Sequence, residues 1–371
     1  MNSRSLIIWI LLPIVIEAIF IIVRVICNTS LNQKMFFIVI LIKIIAFILI
    51  AGVTISIDNI WTVKTTYLFG AMYIVILSDA IANVVLLPLN IFYQNTNIVI
   101  YNILTSIIMF ITLAYGTINS QVVIPSYHTF NSTKIEKNHT FVFISDMHYP
   151  TAQFGNTLNQ ALLDIKKVNP EFILLGGDIT DEFTNYDDLK KIYESIGALN
   201  IPTFFIYGNH DRQNKSYKLN KPKFDVHELE KVIVDNGITI LKDEWRYVSD
   251  DIIVVGREDV SEKQNRKKVK DIKNWPDDAY IICVDHNPYQ KEDMLELGAD
   301  LQLSGHTHAG QLFPLKTLYK PVVKYVHGKY KISDSPNDKY LYVSSGFSGW
   351  VLPFRNEEHC NYEVINLVAD R

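Results

Sequence analysis

Charge is spread along this chain in a way that a single soluble globule does not tolerate. Only eight charged residues (Arg4, Glu17, Arg24, Lys34, Lys43, Asp58, Lys64 and Asp79) occur in the first 120 positions, although the 371-residue chain holds 35 basic and 39 acidic side chains. All 10 histidines fall after that point. A long charge-poor segment ahead of a charge-rich one predicts a membrane module at 1–120 followed by a soluble domain. Four apolar stretches, 6–27, 35–57, 67–89 and 98–118, divide the module. Each exceeds the roughly 18–20 residues that cross the hydrocarbon core. Trp61, Tyr67, Tyr93 and Tyr101 stand near their ends, where amphipathic rings prefer to lie. The first stretch carries Glu17 and lacks a small-residue cleavage site, so it reads as a span rather than a signal peptide.

Glu17, Arg24, Lys43 and Asp79 fall inside these stretches. Charge within hydrocarbon is costly, so two acids and two bases imply pairing in the bundle interior, with Arg24 able to reach the interface. Four spans return the C-terminal domain to the side of the N-terminus. Arg4, Lys64, Lys134 and Lys137 flank that side and Arg24 and Lys34 the other, which by the positive-inside rule makes the domain cytoplasmic in a cell-membrane protein. Positions 121–138 read as a linker, and 139–371 as one domain long enough for a sizeable core. A net charge of −4 argues against nucleic acid as a partner. Three scattered cysteines, Cys27, Cys283 and Cys360, form neither a disulfide framework nor a C-x-x-C metal site.

The domain alternates short apolar runs with helical periodicity. Strands are expected at 140–145, 172–175, 203–207, 238–241, 252–255, 280–284, 301–303, 340–343 and 362–367. Helices are expected at 156–168, 186–199 and 226–235, and a charged helix or loop at 261–273. This is a layered α/β pattern. Five runs end in metal-binding residue types: Asp146 and His148; Asp178; Asn209, His210 and Asp211; His286; and His306 and His308. The carboxyl ends of strands are where ligands gather in an open α/β sheet. Gly176, Gly177, Gly208 and Gly305 accompany them and permit sharp turns and close backbone approach. Burying so many polar groups without partners would be costly, so their joint placement points to metal. Carboxylates, imidazoles and one amide, with no thiolate, suit manganese, iron or zinc. Seven candidates are too many for one tetrahedral ion and suit two ions sharing a carboxylate, which acidify a water and clamp phosphate oxygens.

Asp146-Met147-His148, Gly176-Gly177-Asp178, Gly208-Asn209-His210-Asp211, Asp285-His286-Asn287-Pro288 and Gly305-His306-Thr307-His308-Ala309-Gly310-Gln311 resemble, in order, the five signature blocks of the calcineurin-like metallophosphoesterases. The resemblance runs from about residue 140 to the end of the chain. It implies a four-layer αββα sandwich and hydrolysis of phosphate monoesters, diesters or pyrophosphates by a metal-activated water. It also implies a first metal on Asp146, His148, Asp178 and His308 and a second on Asp178, Asn209, His286 and His306. His210 is similar to the family's non-ligand histidine, which contacts phosphate and protonates the leaving group, and Asp211 would orient it. The tail, Gly346 to Arg355, resembles more loosely the branch of the UDP-diacylglucosamine pyrophosphatases, and Arg355 would hold a phosphate there. The expected protein is therefore a four-helix transmembrane bundle carrying a dinuclear phosphoesterase, with membrane lipids around it and a phosphate ester, lipid-linked by virtue of the anchor, as substrate. A transporter or sensor with a regulatory phosphoesterase-like domain is the alternative.

Overall fold

The computed structural model describes residues 11–21, 63–93, 98–153, 156–213, 222–276, 278–333 and 338–370. The chain divides into two compact units at Ile118/Asn119.

The N-terminal unit contains helices α1 (Leu11–Ile21), α2 (Val63–Tyr93) and α3 (Ile98–Asn119). Two windows among the described residues are long and apolar enough to cross a membrane: Thr66–Leu86, of mean hydropathy 1.9, and Val99–Asn119, of mean hydropathy 1.8. The stretches 67–89 and 98–118 thus lie in α2 and α3. Of the expected first span, 6–27, the described part is α1, an apolar helix of 11 residues, and the rest lies outside the described residues. The stretch 35–57 lies outside the described residues, as do Arg24 and Lys43. Polarity in α2 and α3 runs inside out. Val84, Ile111 and Ile118 are exposed, whereas Ser78, Asp79, Asn102 and Thr105 are buried. The Tyr101 hydroxyl donates to Asp79 Oδ1 at 3.3 Å and accepts from Asn83 Nδ2 at 2.9 Å, so the Asp79 carboxylate is met by a phenol.

The second unit is built on two six-stranded sheets. In one the strand order is β1-β12-β2-β3-β4-β5, from β1 (Val123–Ser132), β2 (His139–Ile144), β3 (Ile173–Leu175), β4 (Thr203–Phe205), β5 (Ile238–Ile240) and β12 (Cys360–Ala369). In the other it is β10-β11-β9-β8-β7-β6, from β6 (Glu244–Tyr247), β7 (Ile252–Gly256), β8 (Tyr280–Val284), β9 (Leu301–Ser304), β10 (Gly328–Ser333) and β11 (Lys339–Val343). The period-2 alternation of side chains assigns each residue to a layer. Phe141 and Phe143 of β2, Ile252 and Val254 of β7, Ile282 of β8 and Leu301 and Leu303 of β9 share a core between the sheets. Val142 and Ile144 point the opposite way, against helices α4 (Thr157–Val168), α5 (Tyr186–Gly197) and α6 (Val226–Asp235). Ile253, Val255, Ile281 and Cys283 face a third core with Met294 and Leu297 of α7 (Lys291–Leu297). Three cores between four layers make an αββα sandwich.

The helices follow from spacing. In α4 Leu158, Ala161, Leu162 and Ile165 are buried, and in α5 Leu189, Ile192, Tyr193 and Ile196, each an i, i+3, i+4, i+7 stripe. Asp225 and Glu228 form a capping box at the start of α6. The charged stretch 261–273 is mostly loop, with one 3₁₀ turn at Val269–Asp271.

The expected linker at 121–138 is not a linker. Ten of its residues form β1, which pairs in parallel with β12 from Val123↔Cys360 to Ser132↔Ala369. As an edge strand it accommodates Pro125 and buries little beyond Phe130 and Ser132, so its sequence lacks the alternation of an inner strand.

Candidate metal centre

The ligand-type residues sit in loops that leave β2, β3, β4, β8 and β9, and the backbone is bent hard to present them. Asp146, His148, Asp178, His306 and His308 all adopt positive φ, at 55°, 43°, 53°, 74° and 49°. Non-glycine residues rarely enter this region, and a cluster of them is strain held by its surroundings for a purpose. The loops brace one another: Asp146 N–H donates to Gly177 O at 3.0 Å, and His148 N–H to Asp178 O at 3.0 Å. Gly208 and Gly305 are required by proximity. A Cβ on Gly208 would lie 2.2 Å from Asp178 Oδ1, and one on Gly305 2.2 Å from Asp146 Oδ2.

Two groups of ligand atoms converge: Asp146, His148 and His308, and Asp178, His286 and His306, with the atoms of each group within 4.8 Å of one another. Within the first, His148 Nε2 is 3.2 Å from His308 Nε2, and His308 Nε2 is 3.5 Å from Asp146 Oδ1. Within the second, His286 Nε2 is 3.0 Å from Asp178 Oδ2. The groups adjoin, since His148 Nε2 is 3.8 Å from that same Asp178 oxygen. The imidazoles are aimed from behind. His286 Nδ1 donates to Gly176 O at 2.8 Å and His308 Nδ1 to Ser348 O at 3.1 Å, which frees each Nε2 to face inward. Asn209 is buried, and neither polar atom of its side-chain amide has a hydrogen-bond partner. Such an orphaned amide beside converging imidazoles and carboxylates fits a metal ligand. The donor set as a whole, oxygen and imidazole nitrogen, fits divalent cations.

The electrostatics say the same. Burial works to lower the His148 pKa, but the hydrogen bond to Asp181 and the charges of Asp178, Asp181 and Asp146 outweigh it and raise it to about 9. His286 is raised against its burial by Asp178, whose own carboxyl is held well below the usual range by His286, His210 and His148 despite burial. His306 is lowered to about 4, by burial first and the neighbouring His286 second, and His308 is lowered by burial and then by His148. Without metal, protons stand in for cations.

His210 lies beside these groups and not among them. Its N–H donates to Asp178 Oδ1 at 2.8 Å, and its ring faces His148 at 5.3 Å and Trp350 at 5.9 Å between centroids. Two expectations need correction. Asp211 does not orient His210. Its carboxylate accepts from the N–H groups of Asp178 (2.7 Å), Ile179 (2.9 Å), Thr180 (3.0 Å) and Gly208 (2.7 Å), tying two ligand loops together. Burial, then the charge of Asp178, pushes its pKa up to about 6. The carboxylate that holds His210 is Glu182, which accepts from Nδ1 at 2.8 Å. Nor does Arg355 face a phosphate. It is fully buried, and its guanidinium donates to Ser345 O at 2.8 Å and Ser348 O at 3.0 Å. Because Ser348 O also accepts from His308, Arg355 buttresses a candidate ligand.

Sequence reasoning missed Asp181 and Glu182, three and four residues after Asp178. Asp181 Oδ2 lies 3.6 Å from His148 Nδ1, so both acids of this one turn serve histidines. Two acids just past a glycine-flanked Asp were the available signal. Gln311 was missed as well: its Oε1 accepts from Trp350 N–H at 2.8 Å and its Nε2 donates to Phe354 O at 3.0 Å, fixing the loop that carries Trp350.

The chain is similar to known proteins over the region that holds most of these residues. Residues 139–310 match the family described as calcineurin-like phosphoesterase. An uncharacterized metallophosphoesterase of Helicobacter pylori strain J99 is 28% identical over 60% of this chain and 58% of its own length. A transmembrane protein with metallophosphoesterase domain from Danio rerio is 26% identical over 61% of this chain and 52% of its own. Phosphodiesterase YaeI of Escherichia coli is 28% identical over 46% of this chain and 61% of its own. The match thus spans less than two thirds of each of these relatives.

Proposed function

We infer that the calcineurin-like metallophosphoesterase domain carried by this chain hydrolyses phosphate esters at a pair of divalent ions. The observation that carries the reading is the junction of the two ligand groups at Asp178, with His210 bonded to the same carboxylate. In this reading Asp146, His148, Asp178 and His308 hold one ion, and Asp178, Asn209, His286 and His306 the other. Divalent ions there supply Lewis acidity and lower the pKa of water, chemistry that no side chain of the site offers. Manganese, iron and zinc all suit the donors.

The chain's own residues do the remainder. Asp178 accepts the His210 N–H and so fixes where that residue leaves the turn. Glu182 accepts a hydrogen bond from Nδ1–H and so fixes the ring. With both ring nitrogens protonated, Nε2–H is the proton that a departing alkoxide takes, leaving the neutral Nδ1–H tautomer. Asp211, Gly208 and Gly305 keep the loops close enough for the ligand atoms to meet. Arg355 and Gln311 hold the loop behind His308 and beside His210.

We read α2 and α3 as membrane spans, with 6–27 and 35–57 completing four. The inverted polarity of α2 and α3 supports this, as does the name of the Danio rerio relative. The basic-residue balance favours a cytoplasmic domain. A tether of this kind favours a substrate confined to the bilayer, a lipid-linked phosphate ester.

The test is hydrolysis of bis(p-nitrophenyl) phosphate by the full-length protein after metal removal and after readdition of manganese, iron or zinc. Activity should return with metal and be absent in Asp178→Asn, which should also lose bound metal. Turnover that survives chelation, or an Asp178→Asn variant that keeps two ions per chain, overturns the reading.

A further inference from the structure

The segment after the last ligand loop is built unlike the rest of the domain surface. Between Gln311 and β10 the chain forms a short helix, α8 (Leu315–Tyr319), and a turn. It leaves Phe313, Leu318 and Val322 50%, 61% and 87% exposed, Val322 being the most exposed large apolar side chain among the described residues. Lys320 and Lys324 are exposed between and beside them, and neither has a carboxylate partner among the described residues. Bulky apolar groups interleaved with lysine are the composition of a surface that enters a headgroup layer.

A second observation concerns where this segment lies in the domain. Asn119, the last residue of α3, donates from Nδ2 to Arg355 O at 3.0 Å and Glu358 O at 2.9 Å. The same loop grips the exposed segment. Lys316 pairs with Glu358, Lys316 N–H donates to Glu357 Oε2 at 3.0 Å, and Phe313 N–H donates to Asn356 Oδ1 at 2.9 Å. Asn119, the first residue of the second unit, and the apolar segment are therefore both fastened to the one short loop 355–358. Residues 313–324 thus lie beside the point where the chain enters the domain.

We propose that residues 313–324 form a bilayer-contacting segment, in which Leu318, Val322 and Phe313 enter the acyl boundary and Lys320 and Lys324 lie on the phosphates of anionic headgroups. The proposal rests on the reading of α3 as a membrane span. Charge decides for a bilayer over a second copy of the chain: the same face on two copies would set these lysines against one another, whereas anionic lipid neutralises them. Docking of this kind brings the ligand loop 305–311, which precedes the segment directly, toward the headgroup layer, where an acyl-anchored ester presents its phosphate.

The experiment uses full-length protein with Cys27→Ser and Val322→Cys, labelled with an environment-sensitive fluorophore. The buried thiols of Cys283 and Cys360 stay unlabelled. The protein is placed in vesicles of phosphatidylcholine alone or mixed with phosphatidylglycerol. The label should be quenched by bromine-bearing acyl chains, more strongly in the anionic vesicles. Reversing each lysine (Lys320→Glu, Lys324→Glu) should weaken the segment's partition roughly fivefold. A Leu318→Cys label should respond in the same way and serves if the first variant misfolds. A label untouched by lipid quencher, in protein that resists carbonate extraction, overturns the docking and leaves the span reading intact. Protein extracted by carbonate overturns both. A label shielded in proportion to protein density, without lipid quenching, shows that a second copy covers the segment and also overturns the proposal. Hydrolysis of the soluble nitrophenyl ester reports the metallophosphoesterase reading separately.

Discussion

A carboxylate that accepts four backbone N–H groups does a different job from one that holds an imidazole, and the two stand side by side here. Asp211 staples the loops after β3 and β4, so Asp211→Asn should disturb structure. An amide cannot satisfy the same donors, and leaving even one buried N–H unpaired costs roughly 1–3 kcal/mol. The variant should melt earlier and hold less metal, as read by calorimetry and elemental analysis. Unchanged melting with a selective loss of turnover would return Asp211 to the catalytic role first expected of it. Glu182→Gln should do the reverse and keep both metal and melting temperature. It should slow esters with alkoxide leaving groups by a factor approaching the 10²–10⁴ typical of general acid–base catalysis, and nitrophenyl esters much less. Equal slowing of both would mean that Glu182 positions phosphate. Gly305→Ala should lose metal, because its Cβ would fall 2.2 Å from Asp146 Oδ2. A variant with full metal content would show that the loop has room to retreat. The convergence of the candidate ligands could be expected because they are polar residues on apolar strand ends, a pattern with a physical cost unless something pairs them. The role of Glu182 could not be, since which acid reaches His210 depends on how the turn after Asp178 closes in three dimensions. Arg355 misled for a related reason: a guanidinium suits phosphate and carbonyl oxygens equally, and only burial tells them apart.

At the scale of elements, the sequence shows a layered α/β class through strands alternating with helices, whereas the four-layer order was implied by the family resemblance. In the structure each inner strand faces two different cores. Phe141 and Phe143 go one way and Val142 and Ile144 the other, and no register slip preserves both sets. β1 escaped notice because an edge strand buries one face lightly and takes its definition from backbone pairing with β12, which lies more than 230 residues later. That pairing carries a prediction about where the domain starts. A fragment beginning at residue 139, the boundary read from sequence, lacks β1 and exposes the edge of β12. One beginning at Asn119 keeps the strand. The shorter fragment should associate or precipitate and the longer should run as a discrete species in size-exclusion chromatography, since open edges recruit further strands. Equal behaviour of the two would mean that β1 contributes nothing to closing the sheet. The apolar stretches of the first 120 residues show the opposite limit. Composition marks length and hydrophobicity well, but of 6–27 only the eleven residues of α1 are described, so four spans rest on sequence alone.

For the whole molecule, metal and protons compete for one lattice of charges, and the competition has a sign. In the metal-free protein His148 has a folded pKa of about 9 against 6.5 for the free side chain, raised by Asp181, Asp178 and Asp146 against its burial. A group whose folded pKa is raised contributes stability that is complete below its unfolded pKa and is lost as pH climbs through the folded one. The apo protein should therefore lose stability between about pH 6.5 and 9, and for His148 alone the loss is of order 3 kcal/mol. Metal acts in the other direction. A ligating imidazole must be neutral, so at pH 7 an ion has to displace the His148 proton, and its apparent affinity should rise about tenfold per pH unit until that proton is gone. Stabilisation by a ligand grows with its concentration relative to Kd, so the gap between the melting temperatures of the metal-loaded and chelated protein should widen from pH 6.5 to 9. Calorimetry of the full chain with and without chelator measures it, provided metal is kept below the point of hydroxide precipitation. A gap that stays constant or narrows over that range would mean that His148 is already neutral in the apo site. The Asp146, Asp178 and Asp181 carboxylates would then be balanced by something other than its proton, and the two ligand groups would not share charge through Asp178 in the way their geometry implies.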